Sequence, residues 1–277
     1  MTTALYKHHL PLQGYSLLLS TARHTFEHAL GTITEVFSGT NNVWPQEAVS
    51  HQGFSSAGVV LPFVRGLLGL EGDTLDKKVT FSPHFPADWK QVSIDNYSVG
   101  QAKFSFDYSR DMDKIKVNVR AENAEGYKIH FAPALGIGSK IQSLTMDGKP
   151  LSFQTQEKSQ VVIVKSEIPV LENAMTLELQ YALIVEVLPA VPQTEVGDRN
   201  KGLKIISLKK EASHLVLQVE GLANKTYELG VMNPEGIANV DGAQLLGNKL
   251  VLSLPDGEFG QFIPLRVILH LKKKTLS

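Results

Sequence analysis

The sequence predicts an α+β fold with its two kinds of structure segregated along the chain: a short helical N-terminal segment, an antiparallel β-sandwich, and a second, smaller β unit. Three observations carry this expectation. Apolar residues recur at helical spacing up to about Asp73 and alternate with polar ones after it. The first 75 residues hold only eight charged side chains, against 47 in the remaining 202; a solvent-facing helical layer needs charge on its outer side, so this segment reads as buried material. A proline-containing polar linker, Pro189 to Gly202, separates two β-rich stretches. The expected segments are therefore 1–75, 76–190 and 191–277.

The first helix is expected over about Leu12 to Leu30, with Tyr15, Leu18, Leu19, Ala22, Phe26, Ala29 and Leu30 inward and Gly31 as its C-terminal cap. A loop punctuated by Gly, Asn and Pro follows over 38–45. The second helix is expected from Ser55 to Leu70, with Ala57, Leu61, Val64, Leu67 and Leu68 inward and a bend or break at Pro62. Short strands are then expected at 79–81, 92–94, 103–108, 115–120, 127–131 and 161–164, divided by turn signals such as Asp147-Gly148 and Glu125-Gly126. After the linker the strands are 215–219, 226–231 and 250–254. The two β stretches echo each other weakly: DKIKVNVRAENAEGYKIHFAPALG at 113–136 and SHLVLQVEGLANKTYELGVMNPEG at 213–236 both read as strand, polar turn and Tyr-centred strand.

Composition excludes several classes of function. A formal net charge of −1 leaves no electrostatic footprint for a phosphate backbone, so nucleic acid is not an expected partner. No run approaches the roughly 20 apolar residues of a membrane-spanning helix, and the N-terminal residues lack the apolar core of a signal peptide; the compartment stays unassigned. The absence of cysteine removes disulfides and thiolate chemistry. No P-loop, dinucleotide fingerprint, HExxH or GxSxG motif is present, and no cofactor is expected. His24 and His28 stand four apart and could share a metal in geometry, but no carboxylate completes the stripe, so a structural pair is the expected reading.

The chemically dense stretch is 31–73, GTITEVFSGTNNVWPQEAVSHQGFSSAGVVLPFVRGLLGLEGD, which sets two carboxylates, an indole, an imidazole and several amides and hydroxyls between the two helices. A sugar site uses this mixture, because pyranose faces stack on aromatic rings while hydroxyls need fixed donors and acceptors. The plainer alternative is a capped helix, a polar loop and another helix.

The segments GTITEVFSG, WPQEAVSHQGFSSAGVVLPFVRGLLGLE and FSPHFPADW resemble the C-terminal end of the catalytic domain, and its exit into a β-sandwich, in bacterial glycogen-debranching-like six-hairpin glycoside hydrolases. The resemblance covers about residues 5–110 and implies that the helical segment is a remnant of an (α/α)6 toroid. It implies inverting hydrolysis of an O-glycosidic bond with Glu35 as the general base. Trp44, Glu47, His51 and Gln52 would contact substrate; Glu47 is also a rival carboxylate, with the alternative reading of a first-turn acid favoured by a helix dipole. Phe54 stands where many relatives have Trp. The general acid of such enzymes lies on an upstream barrel loop that these 277 residues do not include, so the chain alone is expected to be inactive. Expected partners are an oligo- or polysaccharide, once a site is complete, and the N-terminal part of the same enzyme. The competing expectation is a non-catalytic β-sandwich protein that binds carbohydrate or docks on a partner through its helices.

Overall fold

The computed structural model describes residues 1–27, 30–45, 47–182, 185–191 and 195–272. Strands account for 47% of the structure and helices for 15%, so the molecule is built mainly from antiparallel sheets. The chain divides into two compact units, one formed by Met1–Leu67 with Val187–Ser277 and the other by Leu68–Glu186. Among the described residues no helix is long and apolar enough to cross a membrane.

The unit Leu68–Glu186 holds two six-stranded sheets. One runs in the order Leu70–Asp73, Lys78–Phe81, Lys128–Phe131, Val161–Pro169 and Gln154–Lys158, with Ala134–Gly136 also paired to Val161–Pro169. The other runs Gln91–Val99, Ala102–Arg110, Lys114–Glu122, Ala174–Ala182, Lys140–Met146 and Lys149–Pro150. All pairs with a described register are antiparallel except Lys78–Phe81 with Lys128–Phe131. Strict alternation does the sorting. In Ala102–Arg110 the residues Ala102, Phe104, Phe106, Tyr108 and Arg110 are buried while those between face outward. Phe81 of the first sheet stacks on Phe106 of the second at 4.5 Å between ring centroids, so the two inner faces share one aromatic core.

Among the described residues the other unit joins three α-helices to seven strands. Helix α1 is Thr2–Lys7, α2 is Pro11–Arg23 and α3 is Gly53–Leu61. Pro11 opens α2, where its missing N–H costs nothing. Tyr6 of α1 is 2% exposed, and Gly14 and Gly66 lie against its ring, where side chains would not fit without displacing it. One four-stranded sheet contains Thr226–Met232, Lys249–Ser253 and Gln244–Leu246, with Val187 at its edge; the other runs Lys204–Glu211, His214–Leu222, Phe262–Leu271 and Ile237–Asp241. Gln13 of α2 donates through Nε2 to the carbonyl of Ile206 at 3.0 Å and ties the helical part to this second sheet.

The weak sequence echo corresponds to a shared corner. In each copy the first strand belongs to one sheet and the second to another, and a tyrosine at the crossing anchors its hydroxyl on backbone. Tyr127 donates to Val99 O at 2.9 Å. Tyr227 donates to Lys201 O at 2.8 Å and accepts the Leu222 N–H at 2.9 Å.

The helices depart from expectation. The first ends at Arg23, followed by one 3-10 turn, His24–Phe26, rather than reaching Leu30. Phe26 and Leu30, expected inward, are 75% and 82% exposed; Ala29 lies outside the described residues. Two hydroxyls in the last turns, Ser20 and Thr21, donate to Ser16 O and Leu17 O, the local competition that weakens helix propagation. The second stops at Leu61, and the chain continues as a wider turn, Pro62–Leu67, because a proline ring cannot fit an uninterrupted α-helix. Of its expected inward residues only Leu67 and Leu68 are buried, and α3 itself buries none.

Burial also sets a pH limit on stability. It pushes the phenols of Tyr6, Tyr108 and Tyr181 above their ordinary value of 10.0. The folded state thus prefers the neutral phenols more strongly than the unfolded state does. Their contribution is complete below pH 10 and is lost as pH rises through the folded-state values. Alkaline titration is expected to ionise these three only together with unfolding, seen as a late phenolate absorbance step coincident with loss of far-UV circular dichroism; an early, non-cooperative titration of all seven tyrosines would contradict this.

Candidate functional site

The segment that carries Glu35 is held by an irregular two-stranded pairing. Thr32 Oγ1 donates to Ser50 O at 3.2 Å, Thr34 Oγ1 to Val49 O at 3.1 Å, the Glu35 N–H to Val49 O at 3.0 Å, and the Gln52 N–H to Ile33 O at 3.2 Å. Ile33 and Thr34 are buried and anchor the pairing. Glu35, one residue on, is exposed.

The pairing therefore brings the backbone of Glu35 beside the run that leads into His51 and Gln52. Gln52 is the N-cap of α3, its Oε1 accepting the Phe54 N–H at 3.4 Å. His51 and Glu47 are exposed, and Trp44 is half-buried. Glu47 sits in a turn closed by the Ala48 N–H on Pro45 O at 3.0 Å, before α3 and outside its first turn. The helix-dipole reading of Glu47 is thus corrected: α3 begins at Gly53, six residues later.

One concavity of this unit is lined in part by residues that follow Glu35 in the chain, and none of the five expected site residues lines it. It is a cavity of about 200 Å³ walled by the end of α2, by residues 37–42 and by Asp198 and Asn200. The His24 ring packs on Phe37, tilted by 35° with 4.2 Å between centroids. Its Nδ1 lies 2.7 Å from Glu27 Oε2, an i,i+3 pairing. The same carboxylate oxygen accepts from Asn42 Nδ2 at 3.3 Å. Asn42 is fixed further by its N–H on Asp198 O at 2.7 Å, by the Gly197 N–H on its own carbonyl at 2.9 Å, and by Nδ2 on Glu195 O at 3.3 Å. Asn41 forms a bridge with Arg199. Asp198 is held below the ordinary carboxylate range by its hydrogen bond with Lys201, whose Nζ is 2.6 Å from Oδ2.

No protein-family model, curated protein or solved structure matches this chain. The chemistry must be read from the side chains. His24 takes part in a carboxylate pair; His28 lies outside the described residues, and among those described no group of three His, Cys, Asp or Glu side chains is placed to hold a metal ion. The spacing His-x-x-Glu at 24–27 is a sequence signal that could have found part of this cavity. Asp198 and Asn200, drawn in from the linker, carried none.

Proposed function

We propose that this chain supplies the C-terminal part of a glycoside hydrolase that cleaves O-glycosidic bonds with inversion, with Glu35 as the general base and Trp44, His51 and Gln52 on the substrate side. The observation that supports it is the helical surface. Phe54 is 88% exposed, Val60 60%, Leu61 43% and Phe63 41%, on a helix and turn whose only nearby charge is Arg65. Apolar residues on all sides are the pattern of a helix covered by neighbouring helices, as in a toroid of helical hairpins.

In this reading the pairing of 32–35 with 49–52 sets Glu35 at the rim of the barrel with its carboxylate in water. An ionised carboxylate there takes a proton from water as that water attacks the anomeric carbon. The leaving oxygen is protonated by an acid about 6.5–9.5 Å away, supplied by the remainder of the toroid. Glu47 stands as the rival carboxylate.

The purified chain alone is expected to release no sugar from aryl glycosides above background. Addition of a polypeptide bearing the complementary helical hairpins is expected to restore hydrolysis with inverted anomeric configuration, and Glu35→Gln to reduce that rate by about 10²–10⁴-fold. Glu35-dependent hydrolysis by the monodisperse chain on its own would sink the proposal, as would a restored activity indifferent to Glu35→Gln.

A further inference from the structure

The chain that returns after Val187 crosses the stretch between Glu35 and Trp44 and bonds to it through polar groups. We propose that residues 195–199 form a clasp on the loop 38–43, that the two open and close together while the sheets of the same unit stay folded, and that opening frees the chain between Glu35 and Trp44. The clasp is independent of the glycosidase reading.

The loop first closes on itself. The Ser38 N–H donates to Val43 O at 2.8 Å, and Ser38 Oγ accepts the Thr40 and Asn41 N–H groups at 3.3 Å each. The clasp then adds four bonds. The Asn42 N–H donates to Asp198 O at 2.7 Å and the Gly197 N–H to Asn42 O at 2.9 Å; Asn42 Nδ2 donates to Glu195 O at 3.3 Å and Asn41 Nδ2 to Gly197 O at 3.1 Å. Asn41 and Arg199 stand opposite each other as an antiparallel bridge. The Asp198 N–H on Glu195 O at 3.1 Å and Lys201 Nζ, 2.6 Å from Asp198 Oδ2, hold the clasp as a turn of its own, so it moves as one piece.

Apolar packing does little to keep it down. Its one large apolar side chain, Val196, is 57% exposed, and Glu195, Gly197 and Arg199 are exposed as well. Release therefore uncovers little apolar surface, and the hydrophobic effect hardly opposes it. Each bond broken is replaced by one to water at a small net cost, while the released residues regain backbone freedom. Opening also lets water reach Asn42, whose Oδ1 is buried without a partner in the closed form. The strand His214–Leu222 differs in each respect: it lies between two partner strands, and Leu215, Leu217 and Val219 are fully buried. Local opening at the clasp is thus separated from unfolding of the sheet.

Amide hydrogen exchange of the full chain, read residue by residue by NMR, tests this. The Asn42 and Gly197 N–H groups, which bond across the clasp, are expected to share one protection factor within about fivefold, and that factor to lie at least about tenfold below the one at Leu217. Sub-denaturing urea is expected to lower protection at Leu217 more steeply than at the clasp, because clasp opening exposes little surface. The chain has no cysteine, so Asn41→Cys with Arg199→Cys places a single disulfide across the bridge, whose partners stand within reach of one. Oxidation of this double variant is expected to slow exchange at Asn42 and Gly197 by about tenfold or more, and reduction to restore it. The clasp is refuted if Asn42 and Gly197 exchange only as fast as Leu217, if their protection differs by more than about fivefold, or if the oxidised and reduced forms of the double variant exchange alike.

Discussion

Glu186→Ala is expected to lower the stability of the Leu68–Glu186 unit by about 3–5 kcal/mol, the cost of leaving one member of a buried ion pair alone. Arg110 and Glu186 side chains are 4% and 5% exposed, with Nη2 and Oε2 2.5 Å apart. Arg110 Nε also donates to the Tyr181 hydroxyl at 3.1 Å, which donates to Asp111 O at 3.1 Å. Glu186 Oε1 accepts the Gly136 N–H at 2.6 Å. Burial disfavours the charge on Arg110, but the Glu186 carboxylate and the hydrogen bond to the Tyr181 hydroxyl outweigh it and hold the guanidinium charged beyond its ordinary range. Removing Glu186 strands that charge in a low-dielectric core.

The double variant Arg110→Met with Glu186→Leu separates charge stranding from lost packing. It is expected to recover most of the loss, because a buried pair replaced as a whole by apolar groups is often neutral or better. Urea unfolding of the full chain, followed by probes in each unit, checks both outcomes. With two units a single transition is not assumed. A loss below about 1 kcal/mol for Glu186→Ala would show that water reaches the pair.

Gly69→Ala is expected to be nearly as damaging, at about 3 kcal/mol or more. Gly69 follows the turn Pro62–Leu67 and opens the first strand of the sandwich with φ +64. Two penalties combine there. The left-handed conformation costs an L-residue about 1–2 kcal/mol, and a Cβ would overlap the Ser82 carbonyl, a backbone group that cannot swing away because the Ser82 N–H is bonded to Gly69 O at 2.9 Å. Gly39→Ala, with open space and ordinary φ, is the matched control and is expected to change stability by less than about 0.5 kcal/mol. Equal effects of the two substitutions in thermal unfolding would refute the strain argument.

The β part of the chain was legible because alternation is a local property. Lys103 to Tyr108 reads polar and apolar by turns, and the strand Ala102–Arg110 buries the alternate residues for that reason. Even the repeated Tyr-centred corner could be read from the pattern at 113–136 and 213–236. The helical part was less legible. Phe26 and Leu30 continue the periodicity of α2 yet stand in solvent, since spacing states which residues share a face and not whether anything covers it. Of the expected site, sequence order placed Glu35 near His51 and Gln52, and the pairing of residues 32–35 with 49–52 joins their backbones.

By itself the sequence determined the class of the fold, the switch from helix to strand near Asp73, and the sparse charge of the first helices, all consequences of short-range spacing and composition. Tertiary structure alone decided that Met1–Leu67 and Val187–Ser277 form one unit, that Asn42 meets Glu195 and Asp198 from the linker, and that its amide oxygen is buried without a donor. Those facts depend on contacts between residues more than 150 positions apart, which no local period encodes.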